Sequence, residues 1–214
     1  MASTSKAAQD AQTVLLNAVK RMFDEPKYSD LNVYCDNLHW SVHKAIVCPQ
    51  SPFFAKACNG NFKEGNENVI TLQEDNAAVV GEMLRWMYTF SYNDVPSDQS
   101  MPALTFNVHM QIIADKYDMP GLATLAAVKF AELAEVQWKE QELADAAALV
   151  FTNCVDRDEQ LRKTIFSITT KYGEKLRHGV EGVHLRKMVA CTPVLGLALW
   201  CGPAKAISSL LSRK

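Results

Sequence analysis

Histidines and carboxylates are the residues of this sequence whose types and spacing could support chemistry. His39 and His43 stand two strand repeats apart, which would place both imidazole rings on one face of a strand. A zinc site would need further ligands, and none follows at a recognisable spacing. A catalytic His43 would need a positioned nucleophile, and the sequence offers none. We therefore predict no catalytic, cofactor or metal site, and expect the His43 ring to satisfy a neighbouring backbone group.

The acidic clusters stand where helices are expected to begin. They are the pair Glu74-Asp75 and the group Asp156, Asp158 and Glu159. Carboxylates at a helix N-terminus balance the helix dipole, so a structural role accounts for them. The sequence has no G-x-S-x-G, no phosphate-binding glycine loop, no H-E-x-x-H and no C-x-x-C motif. We predict that the protein is not an enzyme, and keep an enzyme with an unrecognised site as one alternative.

Composition is ordinary for a globular protein, at 48% hydrophobic and 21% charged residues with a formal net charge of −2. This balance lacks the basic surplus that binds nucleic acid or an anionic membrane surface. The most apolar stretch, residues 188–201, is shorter than the roughly 20 residues of a membrane span. We therefore expect neither a nucleic-acid nor a membrane partner.

Six cysteines bear on the compartment. Cys35, Cys48, Cys191 and Cys201 lie inside apolar runs, and Cys58 and Cys154 complete the set. Such usage is typical of reduced cysteines, several of them buried as small hydrophobic side chains. The first residues are polar, without the apolar core of a secretory signal. Both observations predict an intracellular protein in the cytoplasm, the nucleus or both.

Hydrophobic periodicity divides the first part of the chain into a helix and a hairpin. We expect a flexible leader over residues 1–13 and a helix over about 12–24, which Pro26 ends. The apolar stripe of that helix contains Leu15, Leu16, Val19, Met22 and Phe23. The period then changes to two, so residues 31–35 and 38–42 predict a β-hairpin with one buried face.

Mostly helical patterns follow. Ser51-Pro52 predicts a helix start, residues 69–72 a short strand, and Asp75 or Asn76 the cap of the next helix. The later expectations are a loop over 91–105 with a possible edge strand near Val95, helices from Phe106 onward, a helix opened by Trp138, a connector over 173–186, a final helix over about 187–200, and a short piece at 204–212. Early strands followed by helices predict an α+β fold.

At this point the sequence resembles the BTB/POZ family, in the form common in short fungal proteins. The matching fragments, in order, are Ser29-Asp30-Leu31-x-Val33, Trp40-x-Val42-His43-Lys44-Ala45-x-Val47-Cys48-x-x-Ser51-Pro52-Phe53-Phe54, Phe62-Lys63-Glu64, Val69-Ile70-x-Leu72-x-Glu74-Asp75, Met87-Tyr88-Thr89-Phe90 and Ala114-Asp115-Lys116-Tyr117-x-Met119. Each fragment is weak alone, and their order and spacing make the set specific. The resemblance covers about residues 14–133.

The resemblance implies a small early sheet with a hairpin, flanked by helices, and then an all-helical extension. We expect a BTB/POZ domain over 14–135 and the extension over 136–214. Members of the family are interaction modules, which implies a scaffold or adaptor that pairs with itself and with other proteins. Family residues with a mainly structural role would be Asp30, His43, Ser51, Phe54, Tyr88 and Tyr117.

Three features bear on the partner. In dimeric members a helix at the position of 12–24 packs against the partner subunit, and the alternative is packing on its own domain. Cullin-binding members carry a hydrophobic-x-Glu triplet where this chain has Phe62-Lys63-Glu64, although Phe62 could instead face inward as a loop anchor. Cullin adaptors also extend the domain by a helical pair, which residues 136–177 could supply. An adaptor for a cullin-type E3 ubiquitin ligase is therefore the second interpretation.

Overall fold

A computed structural model gives the arrangement of residues 2–59, 67–95, 101–154, 159–191 and Gly196. The chain divides into two compact units, of which one contains residues 1–93 and 116–122 and the other residues 94–115 and 123–214. All strands of the described part lie in the first unit, and helices make up the second. This is the α+β class that the order of sequence patterns predicted.

The sheet of the first unit runs in the order β2-β1-β3. Its strands are β1 (Leu31–Cys35), β2 (Leu38–Val42) and β3 (Val69–Thr71). β1 and β2 form the expected antiparallel hairpin, with Val33 opposite Trp40, and β3 pairs parallel with β1. In the turn, Asp36 adopts a φ of 49°, a left-handed conformation that aspartate tolerates better than most residues.

Burial along the hairpin follows the period of two on β1 but not throughout β2. Leu31, Val33 and Cys35 are all buried, as predicted. On β2, Val42 is buried while Leu38 is 51% exposed, so the prediction of one continuous buried face is wrong at Leu38. Leu38 lies on β2, an edge strand of the sheet, whereas its buried partner Cys35 lies on the central strand β1.

The helices of the first unit differ from expectation at the N-terminal end. They are α1 (Ala2–Asp24), α2 (Lys44–Val47), α3 (Pro52–Asn59) and α4 (Ala77–Thr89), with a 3₁₀ turn at Cys48–Gln50. α1 begins at Ala2 and not near residue 12, so a helix occupies the segment expected to be a flexible leader. That segment is rich in alanine and contains neither proline nor glycine, so nothing in it stops a helix.

Side-chain caps fix where α3 and α4 begin. Ser51 Oγ accepts the Phe54 N–H at 3.4 Å in front of Pro52. Asn76 is the cap of α4, because its Oδ1 accepts the N–H groups of the second and third residues after it at 3.0 and 3.2 Å. α4 ends at Phe90, which has a φ of 54° and an exposed ring, so the predicted apolar stripe stops before Phe90.

Helices continue through the rest of the described chain. They are α5 (Ala103–Lys116), α6 (Pro120–Val136), α7 (Gln141–Thr152), α8 (Gln160–Lys171), α9 (Gly173–His178) and α10 (Val183–Cys191), with a 3₁₀ turn at Val180–Gly182. The core of the second unit includes Leu104, Val108, Phe130, Leu143, Val150, Leu161, Ile165, Ile168, Leu176 and Leu185. Residues of all six helices α5 to α10 therefore share one apolar cluster.

Five expectations for the later part of the chain need correction or fall outside the described residues. Trp138 lies in a turn before α7, and its ring stacks on Tyr172 with centroids 4.1 Å apart. Residues 173–186 are mostly helical rather than a connector. The last described helix begins at Val183, not near 187, and the predicted continuation beyond Cys191 and the piece at 204–212 lie outside the described residues. Val95 lies in a bend, and none of the described residues 91–95 is in a strand.

Candidate functional site

His43 is held by hydrogen bonds at both ring nitrogens, and only 5% of the residue is exposed. Nε2 lies 2.9 Å from the Lys27 carbonyl oxygen, which only accepts, so Nε2 is the protonated nitrogen of the neutral ring. Nδ1 then accepts the Tyr88 hydroxyl at 2.9 Å, and that hydroxyl in turn accepts the His43 backbone N–H at 2.8 Å. Burial raises the Tyr88 pKa to about 12, which keeps this donor protonated at neutral pH. The His43 ring thus links the Lys27 backbone to the Tyr88 side chain inside the first unit.

Asp30 closes the same corner of the first unit. Its Oδ1 accepts the backbone N–H of Lys44 at 2.8 Å, at the start of α2. The carboxylate thus satisfies a backbone donor 14 residues along the chain. Together with His43, it ties the segment before β1 to the end of β2.

A second network joins α3 to the segment at residues 116–122. Ser51 Oγ donates to the Tyr117 carbonyl oxygen at 2.7 Å, and the Tyr117 hydroxyl donates to Asp75 Oδ2 at 2.5 Å. Lys116 Nζ reaches both oxygens of that carboxylate at 2.9 Å. Burial, and then the hydrogen bond to Asp75, raise the Tyr117 pKa. Phe54 contributes a fully buried ring that faces Tyr117, so this part of the family signature forms core.

The apolar stripe of α1 divides into a packed part and an exposed part. The Phe23 ring contacts the Tyr88 ring with centroids 5.4 Å apart, and the Arg85 guanidinium lies 4.9 Å above Phe23. Val19 and Met22 are half-buried beside it. One and two turns earlier the stripe is open, with Leu15 65% and Leu16 44% exposed.

Val14 is also 69% exposed, and sequence reasoning missed it as a surface apolar residue. Helical residues are spaced by about 100° around the axis, so Val14 lies well off the stripe of Leu15 and Val19. The one signal in the sequence was that Val14 is apolar although it lies outside the stripe. The exposed apolar side chains of α1 are thus Leu15 and Leu16 on the stripe and Val14 away from it.

The triplet Phe62-Lys63-Glu64 lies outside the described residues. The elements on either side are described: α3 ends at Asn59 and β3 begins at Val69. The part of these three residues in binding a partner therefore stays a prediction. The helical pair expected after the domain corresponds to α7 and α8.

A cavity of about 310 Å³ lies in the second unit. Its lining residues are Gln111, Ala123, Thr124, Ala127, Val128, Ala131, Gln160 and Thr164. An active site is expected to carry ionisable groups with perturbed pKa values. None of these eight residues is ionisable, so this cavity does not supply acid–base chemistry.

The described residues also bear on metal binding and on membrane insertion. They contain no cluster of three or more His, Cys, Asp or Glu side chains arranged to hold a metal ion. His39 instead stacks on Tyr34, with ring centroids 5.6 Å apart. Among the described helices, none combines the length and the apolar character that crossing a bilayer requires.

The chain is similar to several known proteins over part of its length. The chain is 27% identical to Kelch-like protein 40 of Xenopus tropicalis over 36% of its length, 24% identical to Protein abrupt of Drosophila melanogaster over 52%, and 28% identical to Rabankyrin-5 of Homo sapiens over 54%. These matches cover only 13%, 12% and 10% of the relatives' own lengths. The family model for the BTB/POZ domain matches residues 19–132, more than half of the chain. The chain belongs to the BTB/POZ domain family.

Proposed function

We propose that this chain is a protein–protein interaction module that forms a homodimer through the open stripe of α1. BTB/POZ domains are in general interaction modules, and this chain carries one. The observation behind the finer proposal is the division of the stripe: Phe23 anchors it on α4, while Leu15 and Leu16 continue the same face into solvent. We place the module inside the cell, in the cytoplasm or nucleus, on the basis of its cysteine usage.

A symmetric pairing would bury these side chains on both copies at once. In an isologous interface each copy contributes the same patch, so Leu15, Leu16, Val19, Met22 and Phe23 would act together. Burying an exposed leucine side chain contributes about 1.5–3 kcal/mol, and four leucines would be covered in a dimer. Leu16 sits where the packed part of the stripe gives way to the open part.

Replacing Leu15 or Leu16 by Asp should convert the dimer to a monomer, because a carboxylate would then be buried without a partner. The solution mass of each variant can be read by multi-angle light scattering. Asn17→Asp is the matched control: it adds the same charge on an exposed position almost opposite the stripe. We expect dimers for the unaltered protein and for Asn17→Asp. A monomeric unaltered protein would refute the homodimer.

The second candidate is an adaptor that recruits a cullin-type E3 ubiquitin ligase. It is favoured by the hydrophobic-x-Glu triplet Phe62-Lys63-Glu64 and by the presence of α7 and α8 as a helical pair after the domain. Phe62 would insert into a pocket of the cullin, and Glu64 would add a polar contact. Scaffold and ligase adaptor are compatible, since a dimer presents two such contacts.

Binding of a purified cullin N-terminal domain tests this candidate by calorimetry. Phe62→Ala or Glu64→Lys should weaken binding by about thirtyfold, which corresponds to a typical hot-spot loss of about 2 kcal/mol. Lys63→Ala, between the two, should leave the affinity within about threefold. Absence of binding by the unaltered protein, or equal affinities for all variants, would remove the adaptor interpretation. The unaltered fold of each variant is checked by circular dichroism.

A further inference from the structure

Two cysteines of the first unit stand together outside the networks described so far. Cys48 begins the 3₁₀ turn that follows α2, and Cys58 lies in the last turn of α3. Both are free and half-buried, whereas Cys35 and Cys154 are buried and Cys191 is exposed. The pair therefore combines proximity with partial access from solvent.

The geometry of α3 places the two thiols against each other. Cys48 Sγ lies 3.7 Å from the carbonyl oxygen of Phe54. In an α-helix that carbonyl accepts the amide of the residue four positions later, which is Cys58. Cys48 thus reaches the turn of α3 that carries Cys58, and the Cys48 pKa is raised by burial and then by the nearby Cys58 thiol.

We propose that Cys48 and Cys58 are a redox-active pair that closes to an intramolecular disulfide when hydrogen peroxide oxidises the protein. A disulfide requires that the two side chains lie close together, and Cys48 contacts the turn of α3 that carries Cys58. In reducing compartments, disulfides of this kind are usually transient and sense the redox state. The bond would close a loop between positions ten residues apart, inside one compact unit.

The disulfide would form in two steps. The sulfur of one cysteine attacks peroxide and gives a sulfenic acid and one water molecule. The sulfur of the other cysteine then attacks the sulfenic sulfur. The S–S bond forms, the S–OH bond breaks, and the hydroxyl leaves with the proton of the attacking thiol as a second water molecule.

Peptide mapping of the full chain tests the pair directly. The reduced protein is treated with hydrogen peroxide, its remaining thiols are blocked with N-ethylmaleimide, and trypsin is added. Cleavage after Lys44, Lys56 and Lys63 separates Cys48 and Cys58 into different peptides, so a disulfide joins residues 45–56 to 57–63. The expected product is this linked pair, two hydrogen atoms lighter than the sum of the free peptides. Dithiothreitol should separate it again.

Variants then test the pairing. Cys58→Ser should abolish the link and leave Cys48 as a thiol that N-ethylmaleimide alkylates once the protein is unfolded, while Cys191→Ser, which removes an exposed thiol, should leave the link unchanged. The proposal fails if the unaltered protein yields both peptides only as alkylated or sulfinic forms, or if Cys58 pairs mainly with Cys191. Because this mapping uses the unaltered chain, a variant that fails to fold leaves the test intact.

Discussion

At the scale of single residues, the polar groups of the family signature act on the backbone. Asp30 accepts the Lys44 N–H, and His43 joins Lys27 to Tyr88. Sequence reasoning anticipated that His43 would satisfy a backbone group, because it stands at the end of a predicted strand. The link from His43 to Tyr88 spans 45 positions of sequence, and no local pattern reports a contact of that separation.

Tyr88→Phe tests this connector. Removing the hydroxyl leaves the buried His43 backbone N–H and the ring Nδ1 without a partner, at a cost of about 1–3 kcal/mol for a buried unsatisfied group. Urea unfolding should show this loss at neutral pH. Tyr28→Phe is the control, because Tyr28 is 81% exposed and should change stability by less than about 0.5 kcal/mol. Equal stabilities of the two variants would contradict the connector role.

The same variant carries a pH signature. The Tyr88 pKa rises from an ordinary value of 10 in the unfolded chain to about 12 in the fold. A raised pKa means that the folded state holds this proton more tightly, so its contribution is complete below pH 10. That contribution then declines as pH rises through about 12. The stability difference between the unaltered protein and Tyr88→Phe should therefore shrink between pH 10 and 12.

At the scale of elements, periodicity predicted which segments are helices and strands more accurately than where they end. The hairpin and β3 follow from alternation and β-branched residues, and Asn76 caps α4 as one of two candidates. Exposure of Leu38 escaped prediction, because alternation describes the two sides of a strand and not whether the strand lies at the edge of the sheet. The start of α1 escaped it too, because an alanine-rich segment without an apolar stripe carries no periodic signal.

The glycines of residues 173–186 led to the wrong prediction of a connector. Gly173, Gly179 and Gly182 suggested a connector, yet they stand at the ends of short helices. A Cβ on Gly182 would clash with the Leu176 carbonyl oxygen, so glycine permits a close backbone approach there. Arg186 Nη1 then binds the carbonyl oxygens of Leu176 and Gly179, both at 2.8 Å. Glycine here allows compact helical packing, which composition alone cannot distinguish from a loop.

At the scale of the whole molecule, the family model ends at residue 132 and α7 to α10 follow it. The core of the second unit combines α5 and α6 with those later helices, as Leu104, Phe130 and Leu143 share one cluster. The limits of 14–135 for the domain and 136–214 for the extension remain predictions. Since the cluster contains residues from both sides of the expected limit, shortening the chain at 135 would expose apolar surface.

Self-association should appear in the stability of the whole molecule as well as in its mass. A partner that binds only the folded state stabilises it by mass action, by about 2.7 kcal/mol at a concentration 100 times the dissociation constant. The melting temperature of the unaltered protein should therefore rise with protein concentration over a hundredfold range. Leu16→Asp should remove this dependence, because monomers unfold independently of concentration, whereas Asn17→Asp should retain it. A melting temperature that is constant over that range in the unaltered protein would argue against a dimer held by α1, since the stripe of Leu15 and Leu16 would then have no partner to lose on unfolding.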